Sequence, residues 1–139
     1  PANSILTPHP GEMSVLTGLS VEEIQANRLH IAKKYALQWG HVVILKGALS
    51  VVAAPDGQAC IIPVATSALA RAGTGDVLAG LVAGLCAQGL SSFDAACAGA
   101  WIHAQAGLAA AEHMEQTASV LAGDVLSAVP EAVADLYAS

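Results

Sequence analysis

The chain has 139 residues, of which 55% are apolar and 12% charged, with a formal net charge of −6 and a mean hydropathy of +0.58. That balance excludes a disordered tail, and the length suits one domain or part of one. Five basic residues (Arg28, Lys33, Lys34, Lys46 and Arg71) and five aromatic side chains give no footprint for nucleic acid.

The opening "PANSILTPHP" lacks Met and has neither the basic nor the apolar region of a signal peptide, which reads as a fragment. Cys60, Cys86 and Cys97 are odd in number and show no CxxC or zinc-ligand spacing. Neither a disulfide framework nor a zinc site is expected, and a reducing cytoplasm fits best. Two uncharged runs, Val77 to Phe93 and Ala95 to Ala111, approach bilayer-spanning length. They are rich in Gly and Ala, are interrupted by Gln88, Ser91, Ser92, His103 and Gln105, and lack flanking Lys or Arg. They therefore read as buried helices, with no membrane partner.

In chain order, "SILT" (4–7) is a short strand that "PHPGE" ends, and Glu12 opens a short helical segment. Ser20 with Glu23 forms a capping box for an amphipathic helix over 21–39, whose apolar positions Ile24, Ile31, Ala32 and Tyr35 recur at helical spacing until Gly40. "VVILK" (42–46) is an unbroken apolar run that suits a strand covered on both faces. Next, "SVVAA", the turn "PDGQ" and "ACIIPV" make a β-hairpin, and 64–73 are a loop. A helix runs from Thr74 to about Gln88, a second is capped by Ser91 with Asp94 and reaches about His113, and a last spans 123–138 with a bend expected at Pro130. The pattern is α/β with too few strands to complete a sheet.

The chemistry concentrates in "LARAGTGDVLAG". A helix that follows a glycine turn directs unpaired N–H groups and a positive dipole end at an anion, so Gly73, Thr74 and Gly75 form a candidate anion hole. The stretch is neither GxGxxG, since Leu78 stands at the third glycine position, nor a Walker A loop. Asp76 adds a carboxylate. It either caps the helix or accepts the proton of a hydroxyl that attacks a phosphate held by the turn. Lys46 ends a buried strand beside Gly47, where its ammonium either meets phosphates or is simply solvated.

"GTGDVLAG" resembles the GxGD motif of ribokinase-like kinases. Together with "LTPHPGE", "LKGALS" and "GDVLSAVPEAV" it resembles the ADP-dependent NAD(P)H-hydrate dehydratases, a family once described as carbohydrate kinases. The resemblance implies an α/β, ribokinase-like three-layer fold, of which residues 1–139 would be the C-terminal portion only, without its N-terminal strands and helices. It implies a lyase that uses ADP, or ATP, with Mg2+, to dehydrate NADHX and NADPHX to NADH and NADPH. It assigns His9 and Asp76 to the hydrated nicotinamide nucleotide, and Lys46, Gly47, Ala48, Leu49, Ser50 and Gly75 to the adenine nucleotide. Glu12 stands where related kinases carry an acid that organises magnesium. From the residues alone, His9 is as readily a loop histidine with a backbone partner, and Glu12 a residue that favours its helix start. Ser50 replaces an expected threonine, and "Ala70-Arg71-Ala72" an expected Ala-Thr-Gly. The rival readings are a small-molecule kinase of the same superfamily and a noncatalytic fragment. Apolar surface left by absent strands would favour a homo-oligomer or association with an N-terminal half.

Overall fold

The computed structural model describes residues 4–138. Strand β1 (Ile5–Leu6) leads to helix α1 (Pro10–Thr17), which Gly18 ends in a left-handed conformation at φ 74°. Helix α2 (Val21–Ala26) starts at the anticipated capping box, in which Ser20 Oγ accepts from Glu23 N and Glu23 Oε2 accepts from Ser20 N. The single helix expected over 21–39 is two. Asn27 leaves helical geometry at φ −135°, ψ 36°, and α3 (Arg28–Trp39) begins after it. Asparagine offers the backbone a side-chain partner in place of the helical one, and here its Nδ2 lies 3.4 Å from the Glu23 carbonyl. Ile24, Ile31 and Tyr35 nonetheless face the same core, so the apolar periodicity survives the break.

Strand β2 (Val42–Leu45) is buried at all four positions, as its sequence suggests. It pairs in parallel with β1 (Ile5 with Val42, Leu6 with Val43) and antiparallel with β3 (Val51–Ala53), which pairs antiparallel with β4 (Ala59–Ile61). The sheet is therefore mixed, in the order β1-β2-β3-β4. The β3-β4 hairpin closes at the anticipated turn, where Asp56 Oδ1 accepts from Gln58 N and Gly57 takes φ 94°. The loop after it holds one 3-10 turn, Ser67–Leu69. Three helices follow, α4 (Thr74–Ala87), α5 (Ser92–His113) and α6 (Ala122–Ala138), the last continuing through Pro130.

Alternation along β2 divides the core. Val43 and Leu45 pack with Met13, Ile24, Ile31 and Tyr35 of α1–α3, whereas Val42 and Ile44 pack with Leu78, Val82, Ala96 and Ala100 of α4 and α5. The result is three layers, helix on sheet on helix, the arrangement expected when both faces of a strand read as apolar. A third cluster, with Ile102, Ala106, Val120 and Val125, seats α6 on α5. Of the two long uncharged runs, the second is α5, which buries ten of its residues; the first is not a buried helix as expected, since α4 buries only Thr74, Leu78 and Val82 and leaves much of its surface exposed. Among the described residues no helix is long and apolar enough to cross a membrane. Cys60, Cys86 and Cys97 are free.

Helices α4 and α5 approach closely at Gly99, where an added Cβ would lie 2.6 Å from Val82 Cγ2 and 3.4 Å from the Val82 backbone. Val82 is β-branched and cannot swing aside within its helix. Gly99→Ala should therefore cost about 1–3 kcal/mol through overpacking. At Gly80 an added Cβ meets nothing within 4 Å, so Gly80→Ala should gain up to about 1 kcal/mol from helix propensity. Urea melts of the two variants check this, and shifts of the same sign would disprove the close packing.

Candidate functional site

Because β1 and β2 are parallel, the segments that follow them leave the same edge of the sheet, the edge where open α/β sheets take ligands. Lys46 N donates to the Pro8 carbonyl at 2.9 Å and ties the two segments together. A cleft of about 500 Å³ opens there, within the usual size of a small-molecule site. Its charged lining comprises His9, Lys46, Arg71 and Asp76.

His9 is the N-cap of α1. Its Nδ1 accepts from Gly11 N at 3.0 Å and Glu12 N at 3.1 Å, and Glu12 Oε2 accepts from His9 N at 2.7 Å. This reciprocal cap fixes the ring at the cleft and leaves Nε2, 3.5 Å from Glu12 Oε1, as the edge still open to a ligand. Glu12 does not open the helix, which begins at Pro10; it closes the cap. Its Oε2 also lies 3.7 Å from Lys46 Nζ.

Lys46 Nζ overhangs the glycine turn, for a Cβ on Gly75 would sit 3.2 Å from it. The turn after Lys46 is strained: Gly47 adopts φ 147° and Leu49 φ 56°. Ser50 Oγ donates to the Gly47 carbonyl at 3.2 Å, so the hydroxyl expected at a nucleotide also braces the turn. Gly47, Ala48 and Ser50 line the cleft, whereas Leu49 points to solvent and does not. Arg28 holds this turn from behind, with Nη2 donating to the carbonyls of Leu45 at 2.9 Å and Lys46 at 3.2 Å. A Cβ on Gly47 would lie 2.9 Å from Arg28 Nη1, which explains the glycine.

Gly73 caps α4 in the left-handed region at φ 87°. Thr74 is buried, and its hydroxyl sits 2.8 Å from the Leu69 carbonyl and 2.9 Å from that of Arg71, so it braces the turn. Thr74 N reaches the Arg71 carbonyl at only 3.4 Å, and among the described residues the N–H groups of Gly73 and Gly75 have no backbone acceptor. Those two N–H groups are the open donors of the turn. Asp76 does not cap α4, since the N-cap is Gly73 and no side chain caps it. Among the described residues no hydrogen bond or ion pair engages its exposed carboxylate. Arg71 is anchored to the α5-α6 connection, with Nη2 donating to the Ala118 carbonyl at 2.6 Å.

Two residues of the site escaped sequence reasoning. Arg28 reads as one of three cations on a surface helix, and nothing local marks its reach to β2. His103 reads as a polar interruption of an apolar run; it proves buried and lines the cleft. Magnesium bound with a nucleotide keeps several waters and needs only one or two carboxylates besides the phosphates. Glu12 and Asp76 suit that requirement, and among the described residues no group of three His, Cys, Asp or Glu could hold a metal alone.

The model of the NAD(P)H-hydrate dehydratase family matches residues 1–131. The chain belongs to that family. The bifunctional NAD(P)H-hydrate repair enzyme Nnr of Moorella thermoacetica is 48% identical over 132 residues, covering 95% of this chain and 25% of that protein. The ADP/ATP-dependent NAD(P)H-hydrate dehydratase of Bacillus subtilis, co-crystallized with ATP and Mg2+, superposes with a TM-score of 0.87 at 34% identity over 96% of this chain and 48% of its own. A ribokinase-like superfamily protein of Enterococcus faecalis shares the fold, with a TM-score of 0.75 at 23% identity over 91% of this chain and 42% of its own. The chain thus spans between a quarter and about half of the length of these relatives.

The cap that holds His9 is sensitive to acid. The hydrogen bond from His9 N, opposed by partial burial and aided by Lys46, lowers the Glu12 pKa below 4.5. The unfolded chain then binds that proton more tightly, so the stabilisation is full above about pH 4.5 and is lost as pH falls through the lower folded value. Glu12→Gln should accordingly melt below the wild type at neutral pH, with the gap closing on acidification. Thermal melts across that range check this, and a gap independent of pH would refute it.

Proposed function

We propose that the chain supplies the nucleotide and proton-transfer face of an enzyme that uses ADP, or ATP, to dehydrate NADHX and NADPHX. The single observation that carries this reading is the Asp76 carboxylate, which has no partner among the described residues and directly follows the turn that carries the open Gly73 and Gly75 N–H groups, with the Lys46 ammonium over Gly75. A carboxylate repels a phosphate, so a loop that only bound anions would gain by lacking one. It is useful where a hydroxyl lies between the two.

In the proposed reaction the hydroxyl carried by the hydrated nicotinamide ring attacks the terminal phosphorus of the nucleotide. A new O–P bond forms as the bond to the leaving phosphate breaks, and Asp76 accepts the hydroxyl proton. The Gly73 and Gly75 amides and the dipole of α4 stabilise charge on the transferring group. Lys46 neutralises the nucleotide phosphates, with Gly47, Ala48 and Ser50 forming the wall beside them. Loss of the phosphate from the ring with a neighbouring proton then restores the reduced nicotinamide. His9 offers the substrate its Nε2 edge. Glu12 would hold a nucleotide-bound magnesium through water, and the ion would supply further charge neutralisation there.

The test is turnover of NADPHX with ADP and magnesium, read as the near-ultraviolet absorbance of the reduced nicotinamide. Asp76→Asn should keep the melting temperature and nucleotide affinity and lose about 10²- to 10⁴-fold in turnover. Near-normal turnover would refute the proton-acceptor role, and a stable phosphorylated alcohol as product would replace the dehydratase reading with a kinase.

A further inference from the structure

The turn after β2 is shaped from outside the cleft. Arg28, the first residue of α3, is partly buried and does not line the cleft. Its Nη2 nonetheless donates to the last two carbonyls before Gly47, that of Leu45 at 2.9 Å and that of Lys46 at 3.2 Å, while Nη1 donates to Gln25 Oε1 at 2.7 Å. All three acceptors are neutral, and among the described residues no ion pair engages the guanidinium. Its Nε is buried without a hydrogen-bond partner, burial holds its pKa below the ordinary arginine value, and the start of α3 is the end of a helix dipole that disfavours a cation. On grounds of stability each of these weighs against a charged side chain there. What the arginine secures is the geometry beyond it.

A trans peptide unit is planar, so its carbonyl and its N–H point in opposite directions. Fixing the Lys46 carbonyl on Arg28 therefore turns the Gly47 N–H away from the guanidinium, and Gly47 lines the cleft. Among the described residues that N–H has no backbone acceptor. Lys46 shares the same peptide unit, and its ammonium reaches Gly75 across the cleft edge. With Gly47 at φ 147° and Leu49 at φ 56° the turn is strained, and a strained turn keeps its shape only where its surroundings hold it. Arg28 does so, since one of its nitrogens spans both carbonyls and its fork fills the space that a Gly47 Cβ would need.

We propose that Arg28 is a positioning residue for the nucleotide: it touches no ligand itself and holds the Lys46–Gly47 peptide unit so that the Lys46 ammonium and the Gly47 N–H face the phosphates. The assignment rests on the nucleotide reading given above and extends it to a residue outside the cleft. Because no acid among the described residues cancels it, the Arg28 charge also raises the positive potential at that end of β2.

Calorimetry with ADP, alongside thermal melts, on wild type, Arg28→Met, Arg28→Lys and Ile31→Val tests this. Methionine keeps an apolar stem and removes every donor; lysine keeps the charge but lacks the fixed fork. Ile31 is buried in the same helix and packs into the core, so Ile31→Val lowers stability without touching the Lys46–Gly47 unit. With each protein read well below its melting temperature, Arg28→Met should lose about tenfold in ADP affinity, the size of one hydrogen bond. Arg28→Lys should fall between it and wild type, and Ile31→Val should bind as wild type does. Unchanged ADP affinity in Arg28→Met would overturn the assignment, as would an equal loss in Ile31→Val, the mark of general loosening. Should Arg28→Met not fold, Arg28→Lys decides in its place, and wild-type affinity there would overturn the assignment. Failure of the wild type to bind ADP would overturn the nucleotide reading itself, and this inference with it.

Discussion

The site depends on one approach: the Lys46 ammonium lies over Gly75, so that any side chain there would crowd it. Residues 29 positions apart meet because a buried strand and a glycine-started helix end at the same sheet edge. The strand is fixed on both faces by two cores, and the helix is fixed by Leu78 and Val82 packing on that strand. Neither motif alone would make a cleft. Together they set a cation, two open amides and a carboxylate around one space.

Much of the fold is written in residue periodicity. The four buried positions of β2, the Asp56-Gly57 turn and the starts of α2 and α5 follow from signals a few residues long. What was hidden is long-range or competitive. Asn27 breaks a helix whose apolar spacing continues across it, because a local side-chain choice overrode a pattern that tertiary packing still satisfies. The antiparallel course of β3 beside β2 follows from a hairpin connection rather than from composition, since an apolar run reads alike in either pairing.

The site was legible where its chemistry is carried by turn residues and hidden where a distant side chain acts. "GTGD" and "LKGALS" declare themselves through glycines that the backbone needs at φ 87° and φ 147°. Leu49, within the second motif, adopts φ 56°, faces solvent and does not line the cleft. Arg28 gives no local sign, yet its two hydrogen bonds to the end of β2 fill the space that a Gly47 side chain would need. A glycine can thus report an arginine that sequence spacing never connects to it.

The polar groups of the site fall into two sets, and the division argues for its chemistry. His9 Nδ1, one Glu12 oxygen, the Ser50 and Thr74 hydroxyls and the Arg28 guanidinium are committed to the protein's own backbone. These hold the cap and the two turns in place before any ligand arrives, so little ordering remains to oppose binding. Among the described residues the Asp76 carboxylate and the Gly73 and Gly75 amides are uncommitted, and the Lys46 ammonium has only the 3.7 Å approach of Glu12. Held apart by a rigid frame, a carboxylate, two open amides and a cation face the same space, an arrangement that suits the phosphoryl transfer to a hydroxyl proposed above.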